Sequence, residues 1–208
     1  MNRFFIVMIM TALLFSCTPD KKASPQTVDQ NEQQTTEQNT QPSAAVSTGA
    51  AAEITFTFTR QSGSASNQYA VWIEDARGQH VKTLYASRWT ANGGYSRRPT
   101  SIPLWVKQSG LANMSRVQVD AISRATPSTG KMTYTWDGTN SSGASVPNGN
   151  YTLVLEATLR WENQAYYRAP LALGQGAAAP QVSVEYTGER DTTAERGMIR
   201  EVGVRVLR

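Results

Sequence analysis

Residues that build metal and thiol sites are scarce in this sequence. Its 208 residues include one cysteine, Cys17, and one histidine, His80. An internal disulfide is therefore excluded, and a zinc site or a histidine-dependent catalytic triad has too few partners to assemble. No glycine-rich phosphate loop joins a predicted strand to a helix, which argues against dinucleotide binding. The longest apolar run, residues 4–15, is shorter than the roughly 20 residues that a membrane-spanning helix needs.

The N-terminus has the three parts of an export signal. A basic start with Arg3 precedes the apolar run, and the small residue Ser16 stands before Cys17. The order Leu-Phe-Ser-Cys at residues 14–17 resembles the lipobox of bacterial lipoproteins. The resemblance implies that residues 1–16 are a cleaved signal peptide and that the thiol of Cys17 carries a diacylglyceryl group. The alternative is that Cys17 is an ordinary residue just after a secretory cleavage site.

A lipid on Cys17 would determine where the protein resides. A lone exposed thiol is a liability in an oxidising compartment, and acylation removes it. Several acyl chains give stable anchoring, whereas one chain binds a membrane only marginally. Thr18 stands where an inner-membrane retention signal often has aspartate, so resemblance to the enteric sorting rule favours the outer membrane. We therefore expect a lipid-anchored protein of the cell envelope that faces the periplasm.

Residues 17–52 have the composition of a flexible linker. They are rich in Gln, Thr, Asn, Ser, Ala, Glu and Pro and contain no aromatic residue. Such a segment buries too little apolar surface to offset its chain entropy, so we predict a disordered tether with an end-to-end distance of roughly 30 Å. Residues 53–208 then form one domain, which is long enough to bury a core without disulfides.

The charge balance does not point to a nucleic-acid partner. The chain carries 20 Lys and Arg against 16 Asp and Glu, a net charge of +4, and the basic residues are scattered along it. Export also removes cytoplasmic nucleic acid as a partner. We interpret the basic residues as solvated surface with a mild preference for anionic surroundings.

Apolar and polar residues alternate through the domain. A period of two is typical of strands that bury one face, and about nine such segments separated by turns predict an all-β, immunoglobulin-like sandwich of 8–9 strands. The predicted strands are centred on residues 54–58, 71–74, 81–85, 117–121, 132–136, 151–159, 169–173, 182–186 and 202–206.

Two segments depart from this alternation. Residues 87–112 hold two tryptophans, a Gly-Gly pair and two prolines, and we predict a long loop with at most a short helix over residues 104–108. Residues 134–151 contain a Trp-Asp-Gly sequence and further glycines between two apolar runs, which predicts a hairpin with a long connection. This second segment resembles the immunoglobulin-like domain of flagellar hook-capping proteins, a resemblance that implies a fold and says little about function.

A wider resemblance rests on several short stretches. They are YAVWIED at residues 69–75, HVKTL at 80–84, VDA at 119–121, the Trp-Asp-Gly sequence at 136–138, and a closing strand that ends at Arg208. Over roughly residues 54–208 the chain looks like the domain of unknown function 2271 family of predicted periplasmic proteins. The resemblance implies an extracytoplasmic β-sandwich, often found near flavin transferases and membrane redox proteins.

The heptapeptide at residues 120–126 reads Asp-Ala-Ile-Ser-Arg-Ala-Thr. It is similar to the acceptor motif of extracytoplasmic flavin transferases, in which Asp and two variable residues precede Ser or Thr, Gly, Ala and Thr. The resemblance implies that the Thr126 hydroxyl attacks the pyrophosphate of FAD and keeps FMN as a phosphoester. Asp120 and Ser123 match as recognition residues, and Ala125 keeps the backbone slim enough to enter the transferase.

Arg124 departs from this motif, which has glycine at its position. A bulky side chain could block entry or forbid a backbone angle that glycine allows, whereas a cation could pair with the FMN phosphate. The alternative interpretation of residues 120–126 is a strand end followed by an ordinary turn rich in Ser and Thr.

Other candidate groups give weaker indications. The carboxylates of Glu74, Asp75 and Glu156 could form an acid pair for glycan processing, but no spacing singles out two of them. The tryptophans could stack on a sugar or a flavin ring, although core packing accounts for at least two of them. His80 is interpreted as a strand residue that faces water.

These observations leave three functions open. The first is an electron-carrying lipoprotein that bears FMN on Thr126 and meets a flavin transferase and a membrane redox protein. The second is a non-catalytic binding or assembly module of the cell envelope that uses residues 87–112 as its contact surface. The third is a glycan-processing enzyme. The residues favour a carrier or a binding module over a stand-alone enzyme.

Overall fold

The computed structural model describes residues 49–63 and 65–208. The predicted signal peptide, Cys17 and the tether up to residue 48 lie outside the described residues. The nine strands of the described part of the chain form two sheets that pack face to face. The expected β-sandwich is therefore confirmed.

The two sheets differ in size. The smaller has the strand order β5-β1-β9 and is antiparallel throughout. The larger has the order β4-β3-β2-β6-β7-β8, and only the short β3–β4 pair within it is parallel. The strands are β1 (Ala52–Phe58), β2 (Ala65–Asp75), β3 (His80–Ser87), β4 (Ser123–Arg124), β5 (Gly130–Trp136), β6 (Gly149–Arg160), β7 (Asn163–Leu173), β8 (Ser183–Thr187) and β9 (Ile199–Val206).

The main core lies between the sheets and is built from the alternating apolar residues. Ile54, Phe56 and Phe58 of β1 are at most 1% exposed, while the threonines between them are half-buried. Leu153 and Leu155 of β6 face them from the larger sheet and are equally buried. Burial of apolar side chains at about 25 cal/mol per Å² is the main stabilising contribution of this layer.

A second, smaller core lies on the outer face of the larger sheet. Trp72 of β2 packs there against Ile102 and Trp105, and all three side chains are completely buried. Residues 88–122 form the layer that covers this face, which we call the helical cover. It contains an irregular helical turn (Thr90–Gly94), α1 (Tyr95–Arg97), α2 (Pro103–Gln108), a 3₁₀ turn (Leu111–Asn113) and α3 (Arg116–Ile122).

The helical cover changes the interpretation of residues 87–112. The short helix predicted at residues 104–108 is confirmed as α2, with Pro103 in its first turn, where proline is tolerated. The rest of the segment, predicted as a long loop, is a packed layer that contains further helical turns and buried side chains.

The strand predicted at residues 117–121 is wrong, because this segment forms α3. The helix begins with a capping box in which Ser115 Oγ accepts from the Gln118 N–H and Gln118 Oε1 accepts from the Ser115 N–H. Val119 is buried, whereas Val117 is 79% exposed. The apparent alternation therefore arose from a two-turn helix that buries one valine.

The hairpin predicted across residues 134–151 is also wrong. β5 pairs with β1 in the smaller sheet, whereas β6 pairs with β2 and β7 in the larger one. The connection crosses between the sheets and closes on itself through a bridge between Thr139 and Ser145. The rings of Trp136 and Tyr151 pack edge to face in the core, with their centroids 5.1 Å apart. β5 and β6 therefore contribute to the same core without pairing with each other.

The register of the strands defines two opposite ends of the sandwich. At one end, Ala52 pairs with Trp136 and Val206, so the chain enters the domain there. At the other, Phe58 pairs with Gly130 and Ile199. β1 has seven residues, so the ends are roughly 20 Å apart at about 3.3 Å per residue.

Candidate functional site

The heptapeptide at residues 120–126 lies at the edge of the larger sheet. It runs from the last turn of α3 through the two-residue strand β4 into the loop before β5. Asp120 is exposed on α3, and its carboxylate lies 3.9 Å from the Arg116 guanidinium on the same exposed face. An ion pair of this kind contributes little to stability, so Asp120 is available to a second protein.

The next residues of the motif differ sharply in exposure. Ser123 pairs with Ala86 of β3 and is only 2% exposed, and its Oγ is a buried atom with no hydrogen-bond partner among the described residues. Arg124 and Ala125 are exposed. The structure therefore places Ser123 inside the domain and the two residues after it at the surface.

The Thr126 hydroxyl lies at the boundary between surface and interior. The residue is half-buried, and its Oγ1 accepts one long hydrogen bond, 3.5 Å, from Gln68 Nε2. The Gln68 amide is held in turn by Thr90, whose hydroxyl donates to Gln68 Oε1 over 3.0 Å and contacts the hydroxyl of Ser101 at 2.7 Å. A buried polar network thus orients the residue that contacts Thr126, while Thr126 itself is only weakly held.

The residue before Thr126 is held by an aromatic cluster in the core. Tyr85 donates from its hydroxyl to the Ala125 carbonyl at 3.3 Å, and its ring stacks on Tyr69 with centroids 4.6 Å apart. Burial raises the pKa of Tyr85, so its hydroxyl stays protonated and keeps donating. Ala125 therefore has a fixed carbonyl and an exposed side chain, which positions the adjacent hydroxyl at the sheet edge.

Thr126 lies at the end of the sandwich opposite to the one where the chain enters, which we call the motif end. Gln68 is close to the start of β2, and Thr129, three residues after Thr126, accepts from the Arg60 N–H just beyond β1. Trp89 and Trp161 lie at this end as well and are 45% and 49% exposed. The motif end therefore presents one weakly held hydroxyl together with exposed aromatic surface.

The other titratable candidates have structural partners. Glu74 accepts from the Trp72 indole over 2.9 Å, and Asp75 accepts from two N–H groups of the β2–β3 turn. Glu156 is completely buried and accepts from the Leu104 and Trp105 N–H groups at the start of α2. The three carboxylates are therefore each accounted for by local structure.

His80 differs from its expected environment. It is half-buried, its Nε2 lies 2.8 Å from Thr83 Oγ1, and burial lowers its pKa to about 4. His80 is thus a strand residue, as expected, but it is only partly exposed to water. Within residues 49–63 and 65–208, no three His, Cys, Asp or Glu side chains cluster in a way that could hold a metal ion.

These features define the class of protein: an all-β sandwich with a helical cover, which presents a partly exposed motif at one sheet edge. The chain belongs to the domain of unknown function 2271 family of predicted periplasmic proteins, whose model matches residues 51–192. No curated protein and no solved structure matches the chain. Among the described residues, no helix is long and apolar enough to cross a membrane.

Proposed function

We propose that this protein is an extracytoplasmic electron carrier, anchored through a lipid on Cys17, in which a flavin transferase attaches FMN to Thr126. The observation that carries the proposal is the placement of Thr126: the residue is half-buried, its hydroxyl accepts one 3.5 Å hydrogen bond, and it follows exposed Ala125 at a sheet edge. Such a hydroxyl is freed at little cost, because a long and poorly formed hydrogen bond contributes little to stability.

The attachment requires a simple exchange of bonds. Thr126 Oγ forms a bond to the FMN phosphorus of FAD, the pyrophosphate P–O bond breaks, AMP leaves, and the hydroxyl proton passes to a base of the transferase. This chain has to supply an accessible nucleophile and to hold the backbone around it. Tyr85 provides the second requirement through the Ala125 carbonyl. Bound FMN would supply the electron-transfer chemistry, and the protein its position.

The residues around Thr126 fit an attached phosphate. Arg124 is exposed and forms no ion pair within the described residues, so its guanidinium is available to an anion. Charge-assisted hydrogen bonds from arginine to phosphate are among the stronger polar contacts in proteins. Arginine at the glycine position of the motif is therefore compatible with the product of the transfer.

Co-expression of the mature chain with a flavin transferase tests the attachment. We expect the intact mass to increase by one FMN, and the increase to be absent from Thr126→Ala. Thr129→Ala is the matched control, because Thr129 lies in the same loop and its modification is not expected. An unmodified wild-type chain, under conditions that modify a control substrate, would contradict the proposal.

Arg124→Gly tests whether an arginine at the glycine position of the motif prevents attachment. We expect the FMN adduct both in the wild-type chain and in Arg124→Gly. An adduct that forms only in Arg124→Gly would show that arginine blocks the transferase, and the wild-type chain would then not be a flavin carrier.

A second candidate function is a non-catalytic binding or assembly module of the cell envelope. The exposed tryptophans at the motif end favour it, and Arg98 lies 5.7 Å from the centre of the Trp161 ring. Exposed tryptophan and arginine are enriched where proteins bind one another. This function predicts that the chain stays free of flavin and that Trp89→Ala weakens binding to its partner, whereas Thr126→Ala leaves binding unchanged.

A further inference from the structure

A cavity of about 350 Å³ lies between α3 and β3, close to the motif. Leu84 of β3 lines one side, Met114 and Ile122 line the side formed by the helical cover, and Thr135 of β5 also belongs to the lining. Small-molecule sites in proteins have volumes of about 300–1,000 Å³. We call this space the α3–β3 cavity.

The walls of the α3–β3 cavity suit a planar ring with polar atoms at its rim. Leu84, Met114 and Ile122 supply apolar surface, and a methionine sulfur makes favourable contacts with aromatic rings. Gln118 and Thr135 supply hydrogen-bonding groups on the same lining. Four of the eleven lining residues are apolar and seven are polar or charged, so the apolar surface available to a ring lies beside several groups that can hydrogen-bond to its rim.

The two cationic side chains of the cavity lining differ in whether they form an ion pair. Lys82 Nζ is neutralised by Asp137, whose two carboxylate oxygens lie at 2.9 and 3.0 Å, and it also donates to Thr139 Oγ1. Arg124 lines the same cavity and forms no ion pair within residues 49–63 and 65–208. An anionic group is therefore expected at the Arg124 side of the cavity.

Arg124 precedes Thr126 by two residues. The cation without an ion pair and the proposed acceptor hydroxyl therefore belong to one short segment. We propose that the α3–β3 cavity is the docking site of the flavin ring that is attached to Thr126, with Arg124 pairing with the phosphoester. This inference rests on the proposed function. It assigns a role to α3 and to the arginine that replaces the motif glycine.

A variant that fills the cavity tests the docking site. Ala121 of α3 lines the cavity, so Ala121→Trp should occupy it from the helix side. Val117 lies on the same helix, is 79% exposed and is not part of the lining, so Val117→Trp is the matched control. The fraction of each purified variant that carries FMN is first measured by intact mass, and samples with the same fraction are compared. This step separates docking of the flavin from its attachment.

The readouts are the fluorescence anisotropy and the visible circular dichroism of the attached flavin. We expect the flavin of the wild-type chain and of Val117→Trp to be as slow to reorient as the whole protein. The flavin of Ala121→Trp should lose anisotropy and dichroism, since a free side group reorients within nanoseconds. A freely reorienting wild-type flavin, or unchanged signals in Ala121→Trp, would overturn the docking site while leaving attachment intact.

The unmodified chain provides a second measurement that does not depend on attachment. Titration of free FMN should raise its anisotropy with the wild-type chain and with Val117→Trp, and less with Ala121→Trp and with Arg124→Gln. If the mass shows no adduct but free FMN binds in this pattern, the attachment fails and the cavity stands as a flavin site. If neither the adduct nor free binding is found, both proposals are overturned.

Discussion

Glu156 is a buried carboxyl whose ionisation affects the stability of this fold. Its side chain is completely buried, and it accepts from the N–H groups of Leu104 and Trp105 over 3.1 and 2.7 Å. Burial raises its pKa to about 7, and the two N–H groups oppose part of that rise. Glu156 thus accepts hydrogen bonds from the first N–H groups of α2. Because it is buried, its carboxylate binds a proton more readily in the native state than in the unfolded chain.

This raised pKa predicts a pH-dependent stability difference between the wild-type chain and Glu156→Gln. In the unfolded chain the carboxyl loses its proton near pH 4.5, whereas in the native state it keeps the proton up to about pH 7. The native state therefore binds more protons across this window, and the stability that Glu156 contributes falls as the pH rises. At 1.36 kcal/mol per pKa unit, the fall is roughly 3 kcal/mol.

Urea unfolding of both chains between pH 4 and pH 8 checks this prediction. Taking the difference at each pH cancels the other titrating groups, including His80, whose lowered pKa acts in the opposite direction. The wild-type free energy of unfolding should decrease relative to that of Glu156→Gln as the pH rises. A difference that does not change with pH would contradict the raised pKa.

At the scale of elements, α3 determines where the motif lies. The helix ends at Ile122 and β4 begins at Ser123, so the orientation of α3 sets the position of Arg124 and Thr126. The Ser115–Gln118 capping box satisfies N–H groups at the start of a helix of only seven residues. Such a short helix is marginal alone and depends on its cap and on the burial of Val119.

Ser115→Ala should therefore destabilise the domain by about 1 kcal/mol, the usual cost of losing a helix cap. Val117→Ala is the matched control on the same helix, and a change at a side chain that is 79% exposed should cost less than about 0.5 kcal/mol. Denaturant unfolding of the two variants gives both values. Equal destabilisation by the two changes would show that the cap contributes nothing specific.

The sequence predicted the sheets well because each strand buries one face. The alternation at residues 54–58 and 151–159 corresponds to β1 and β6, and the strands predicted at residues 71–74 and 81–85 correspond to parts of β2 and β3. At residues 117–121 the period of two gave a wrong prediction of a strand. The Ser-x-x-Gln sequence at residues 115–118, which is typical of a helix cap, was the stronger local signal. The period of two also gave no information on which sheet each strand joins, so the β5–β6 connection was mistaken for a hairpin.

The candidate site was predictable in composition but not in geometry. The residue types at 120–126 predict a hydroxyl acceptor, which stays a prediction, and two-residue β4 went unpredicted because such a short strand has no period. Gln68 and Thr126 are hydrogen-bonded although they lie 58 positions apart in the sequence. Thr90 and Gln68, which are also hydrogen-bonded, lie 22 positions apart. Only the pairing of the strands brings them together, so no local pattern could indicate this network.

At the scale of the whole molecule, the two ends of the sandwich have separate roles in the proposed carrier. The chain enters the domain at Ala52, and Thr126 lies at the opposite end, roughly 20 Å away. A carrier of this kind needs an anchor that does not obstruct the cofactor. The described structure is compatible with that need, because the chain enters the domain at the end opposite to Thr126.

Cys17→Ser tests the anchor on its own. The variant should move from the membrane fraction to the soluble fraction of the envelope, because it lacks the thiol that the proposed lipid requires and a signal peptide alone does not anchor a cleaved protein. Fractionation beside Ser16→Ala, which leaves the thiol in place and should stay membrane-bound, provides the comparison. Unchanged membrane retention of Cys17→Ser would count against lipidation.

The most direct test of the central claim is to locate the flavin within the chain. Trypsin cleavage after Arg124 and Lys131 releases residues 125–131, a peptide that contains Thr126, Ser128 and Thr129. After modification by a flavin transferase, tandem mass spectrometry should find FMN on this peptide, with fragment ions that place it on Thr126. An unmodified peptide, or FMN on Ser128 or Thr129, would contradict the account.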